Sequence, residues 1–119
     1  MNSSILVFFG CFLLVNSLPS NSTADLNIES GNCSNTNPEN MVHNAHVHKQ
    51  AIPFIIRDVS DEWYGDETIY CVRAISLKDK TEGSTAWITD GGVNHSYVSI
   101  EMQSGRGKGL EYNITVFAV

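Results

Sequence analysis

Tyr97 to Ala118 reads YVSIEMQSGRGKGLEYNITVFA, and its two halves share a period of two across a glycine-rich middle. Val98, Ile100 and Met102 alternate with Ser99, Glu101 and Gln103; beyond the glycines, Leu110, Tyr112, Ile114 and Val116 alternate with Glu111, Asn113 and Thr115. Successive side chains of a strand point to opposite faces, so each half predicts a strand with one buried and one wet face. The middle, Ser104 to Gly109, sets Arg106 and Lys108 among three glycines and invites a phosphate-loop reading. Such a loop needs a helix behind it, whose N-terminal amides and dipole meet the anion. A period of two starts no helix, and the Walker spacing with its Lys-Ser/Thr pair is missing. The segment is therefore expected to be a glycine-rich turn that lets two strands reverse tightly, with Arg106 and Lys108 solvated at its tip as a candidate partner contact.

The rest of the body has the same texture. Thr68 to Leu77 (TIYCVRAISL) is its longest apolar run and predicts a central strand with both faces partly buried. Ser84 to Thr89 (STAWIT) predicts a short strand, closed by Asp90-Gly91-Gly92, where glycine supplies the positive φ of a hairpin turn. Met41 to Lys49 is expected to be a first strand. Ala51 to Arg57 (AIPFIIR) is expected to be a second, which Pro53 confines to an edge or a bulge. Asp58 to Glu67 (DVSDEWYGDE) reads as an acidic connection, and Lys78 to Gly83 as a turn cluster. No stretch has sustained helical spacing. Five or six short, turn-separated strands predict an all-β fold, a small antiparallel β-sandwich or partly open barrel.

The ends point to export. An unbroken apolar run from Ile5 to Val15 precedes the first charge at Asp25, and it is too short for a bilayer span of about 20 residues. Val15-Asn16-Ser17 supplies small residues near a cleavage point, so residues 1–17 are expected to be a signal peptide. Residues 18–40, rich in Ser and Asn, are expected to form a flexible arm tied down at Cys33. Residues 41–119 then make a single β domain. Once Cys11 leaves with the signal, Cys33 and Cys71 remain and are expected to pair in an oxidising compartment. Asn21, Asn32, Asn94 and Asn113 each begin an Asn-x-Ser/Thr glycosylation acceptor.

Charge and chemistry narrow the function classes. A net −6 repels nucleic-acid phosphates and anionic membranes, and only seven Lys and Arg are present to build a local basic patch. Neither direct nucleic-acid binding nor membrane contact after signal cleavage is expected. His43, His46 and His48 are candidate metal ligands, since His46 and His48 share a strand face and imidazole suits zinc or copper. Asp58, Asp61, Glu62, Asp66 and Glu67 have the oxygen ligands calcium prefers but not the EF-hand order, which favours a solvated acidic loop. No catalytic residue is assigned: G-x-S-x-G and H-E-x-x-H are absent, and His95 sits beside a turn within a glycosylation acceptor. No cofactor is expected, and the protein is expected not to be an enzyme.

Tyr70-Cys-Val-Arg73, Trp87-Ile-Thr-Asp-Gly91-Gly92, Val98-Ser-Ile100, Ser104-Gly-Arg106-Gly107-Lys-Gly109-Leu-Glu-Tyr112 and Val116-Phe117-Ala118 follow one another in an order that resembles the insect multiprotein bridging factor 2 family. That family also contains many small salivary and other secreted peptides. Two positions depart from its pattern: Asn94 stands where another glycine is frequent, and Gly105 where a glutamine precedes the arginine. The resemblance implies either a coactivator bridging a DNA-bound receptor and the general transcription machinery, or a secreted peptide. The sequence favours a small secreted, non-enzymatic β-sandwich that binds a protein or small molecule in saliva, venom, haemolymph or a similar fluid. The alternatives are the coactivator, acting through protein contacts, and a secreted metal binder. Oligomeric state and partner are not encoded in any motif.

Overall fold

The computed structural model describes residues 24–119, so residues 1–17, expected to be a signal peptide, and Asn21 lie outside the described residues. Seven strands form two antiparallel sheets: β1 (Ile28–Gly31), β2 (Met41–Lys49), β3 (Asp58–Tyr64), β4 (Ile69–Ser76), β5 (Thr85–Gly91), β6 (Tyr97–Gln103) and β7 (Leu110–Ala118). The larger sheet has the order β1-β4-β7-β2 and the smaller β3-β6-β5. The two layers pack face to face without closing into a barrel, so the fold is an all-β sandwich.

Alternation builds the core. Val98, Ile100 and Met102 from β6 and Tyr112, Ile114 and Val116 from β7 are fully or almost fully buried, and Val72, Ala74 and Ala86 pack with them. β4 lies between β1 and β7, and both Cys71 and Val72 are buried, one on each side of the strand. Gly91 and Gly92 take φ of 69° and 107° in the β5–β6 hairpin, where the Gly92 N–H donates to the Tyr97 carbonyl (2.9 Å).

Four expectations need correction. Ala51–Arg57 forms no strand: Pro53 has no N–H to donate and Phe54 takes a left-handed φ of 69°, so no ladder can run through the segment. The acidic stretch is instead the missing strand, since Asp58–Tyr64 pairs along its length with β6 and turns Val59, Asp61 and Trp63 inward. The arm is structured where described: Ile28–Gly31 pairs with β4, and Asp25 exchanges backbone hydrogen bonds with Ala86 of β5 (3.1 and 2.6 Å). The arm therefore joins the edge of one sheet to the edge of the other. Finally, β6 and β7 belong to different sheets, so Ser104–Gly109 is no hairpin turn but carries the chain from one layer to the other.

Tyr112 gives the core a pH dependence. Its hydroxyl is buried and donates to the Leu26 carbonyl (2.6 Å), and burial pushes its pKa from 10.0 up to about 12. A raised acid pKa means that the folded state prefers the proton. The contribution of Tyr112 to stability is then constant below pH 10 and falls as pH rises through the window from 10 to about 12. A loss of roughly 2 to 3 kcal/mol across that window, absent in Tyr112→Phe, is expected in urea melts at stepped pH.

Candidate functional site

Three connections meet at one end of the sandwich: β2 to β3 (50–57), β4 to β5 (77–84) and β6 to β7 (104–109). Backbone and side-chain hydrogen bonds tie the first of them to the third. The Ser104 N–H donates to the Arg57 carbonyl and the Arg57 N–H to Ser104 Oγ, each at 2.8 Å. The Gly107 N–H donates to the Ile55 carbonyl (2.9 Å), and the Arg106 guanidinium to the Phe54 carbonyl (3.1 Å). Gly109 lets β7 start hard against the end of β2, because a Cβ there would stand 2.5 Å from the Lys49 carbonyl oxygen. The glycine segment thus braces the apolar connection beside it.

What it braces is exposed. Phe54 is 81% accessible, and Ile52, Ile55 and Ile56 are exposed beside it. With Leu77 on the neighbouring connection, five of the eight exposed large hydrophobic residues among those described lie at this end. Phe54 also holds the left-handed backbone conformation that bulky residues seldom adopt. Scattered single apolar residues on a surface need no explanation, whereas several gathered at one end make it the candidate interaction surface.

The same end collects the positive charge. Lys49, Arg57, Lys78, Lys80, Arg106 and Lys108 lie in or beside these connections, six of the chain's seven cations. Asp58, Asp79 and Glu82 are the carboxylates with them, so six cations against three anions leave +3 in a chain whose total is −6. The seventh cation, Arg73, lies in β4 with Glu29 at 3.7 Å. Arg106 and Lys108 are both exposed, and Arg106 is less free than a solvated tip because its guanidinium holds Phe54.

The other candidates are dispersed. His43 points between the layers, where its Nε2 meets Asp61 Oδ2 of β3 at 2.7 Å and links the free edges of the two sheets. His46 faces outward, its Nε2 2.7 Å from Glu111 Oε2, and His48 is exposed on the same side. The three histidines do not converge, because 43 and 46 differ in parity on one strand. Nor do the carboxylates: Asp58 and Tyr64 stand at opposite ends of β3, about 20 Å apart at strand rise. Asp66 and Glu67 follow at the far end. Among the described residues no group of three His, Cys, Asp or Glu could hold a metal, and no pocket is found. Cys33 and Cys71 are joined in a disulfide. Asn32, Asn94 and Asn113 are exposed.

A family profile described as transcription activator MBF2 matches residues 19–118. The chain belongs to that family. No curated protein and no solved structure matches it. The match spans every MBF2 strand described above, including β1 and β3. Within the matched span Asn94 adopts φ of 73°, which asparagine tolerates better than most residues. The apolar connection was not recognised as a surface from sequence, although an apolar run flanked by Lys49 and Arg57 in an acidic chain is a signal of one.

Proposed function

We propose that the protein is an exported, non-enzymatic binding protein of an extracellular fluid. The observation that carries this reading is the Cys33–Cys71 disulfide, since such bonds persist in oxidising compartments and are rare in the cytosol and nucleus. The apolar run Ile5–Val15 supports it, as do three exposed glycosylation acceptors on the sandwich. The exposed apolar and cationic loop end is the surface through which it binds. The family's description favours a second reading, a transcription activator working through protein contacts.

Compartment separates the two. Expression in a secretory cell line is expected to release into the medium a chain beginning near Leu18 that loses mass on treatment with an N-glycosidase. Recovery only from nuclei, with Met1 to Ser17 intact and both cysteines free, supports the activator and overturns export.

A further inference from the structure

We propose that the loop end docks on anionic lipid bilayers, with the Ile52–Ile56 connection entering the headgroup region and the surrounding cations meeting lipid phosphates and carboxylates. Average charge argues against such contact, because the whole chain carries −6. The distribution reverses the argument. Six cations gathered at one end leave it at +3, and the remainder of the chain takes up the excess of carboxylates. The next carboxylate along the chain from Lys108, Glu111, is engaged by His46 (2.7 Å) and lies one residue inside β7. An orienting field of this kind presents the apolar end, and no other, to a negative surface.

The shape fits a bilayer better than a folded partner. The apolar side chains project from a connection rather than lining a groove, and the cations come from three separate connections around them. A surface of apolar side chains with Lys and Arg about it is the pattern of peripheral membrane attachment, where long cationic side chains reach headgroups while the apolar ones bury. A two-fold dimer through this end would set +3 against +3, which disfavours a second copy. Pre-organisation adds to the case. The hydrogen bonds from Gly107 and Arg106 fix the backbone of Phe54 and Ile55 against the neighbouring connection, so little loop ordering remains to be done on binding. Keeping Phe54, rather than glycine, at φ 69° places a large apolar side chain where the backbone alone favours none.

The proposal goes beyond the compartment reading and is tested apart from it, since vesicles are indifferent to where the chain resides. Purified protein is sedimented with extruded vesicles of phosphatidylcholine alone or with about a third phosphatidylserine. Sedimentation with the mixed vesicles only, falling steeply as salt is raised, is the expected result. Phe54→Gly suits the left-handed backbone and so preserves the fold, yet it is expected to weaken binding by about tenfold or more. Lys108→Glu is expected to weaken it while leaving the thermal melt unchanged, and Tyr64→Ser at the opposite end to leave binding intact. Absence of sedimentation, equal binding to pure phosphatidylcholine, or undiminished binding by both loop-end variants overturns the proposal. Vesicle-independent self-association abolished by Phe54→Gly overturns it in favour of a second copy.

Discussion

A Cys33→Ser/Cys71→Ser double variant is expected to unfold more easily than the parent protein by up to about 4 kcal/mol. The bond closes a loop with a sequence separation of 38 residues, and the chain-entropy estimate for such a loop gives that figure as an upper value. Its position matters as much as its loop. Cys71 lies in β4 opposite Gly31, so the bond fastens the end of β1 to the strand it pairs with. β1 has only four residues and one neighbour, and without the bond it becomes the least protected strand. Urea unfolding monitored by tryptophan fluorescence gives the total. Amide exchange at Ile28–Gly31, faster in the double variant while β6 stays protected, separates this local release from general destabilisation. A loss below about 1 kcal/mol would show that the reduced chain retains its loop closed by other means.

Ile114→Ala is expected to cost roughly 3 to 4 kcal/mol. Ile114 is fully buried on β7, opposite Ala45 of β2 on one side and Ala74 of β4 on the other. Its two strand neighbours already carry small side chains, so no adjacent cross-strand group can swing in to fill the space. Removal of its three carbons therefore loses both transfer free energy and packing contacts. The adjacent Asn113→Ala faces solvent and is expected to change stability by less than about 0.5 kcal/mol. If the two substitutions prove equal in denaturant midpoint, the inward and outward assignment of β7 is wrong.

The strands with clean alternation were legible at the residue level: Tyr97–Gln103 appears in the structure with the bounds its pattern implies, and so does Leu110–Ala118. Asp58–Tyr64 was not, because Asp61 occupies an inward position and breaks the apolar rhythm between Val59 and Trp63. Its tolerance there depends on His43, 18 residues away, and no local pattern announces that contact. Ala51–Arg57 erred the other way. Its β-branched residues look like a strand, but they are exposed, and Phe54 has a backbone that propensity does not encode. β1 is hidden by its Ser- and Asn-rich surroundings and is held by pairing and a disulfide rather than by composition. At the loop end the ingredients were visible one by one. Their assembly was not, since it depends on which connections the topology brings to the same end.

That topology also sets an order of events during synthesis. β7 is the last of the described strands to leave the ribosome, and it stands between β4 and β2 at the middle of the larger sheet. Until the chain has been made through Ala118, β2 has no partner and β4 has only the four residues of β1. The β5–β6 hairpin is the one pairing between consecutive strands, and it forms early; the larger sheet must wait. A nascent chain of this protein therefore carries unpaired strand edges for most of its synthesis, which makes it a natural client for chaperones in whichever compartment it folds.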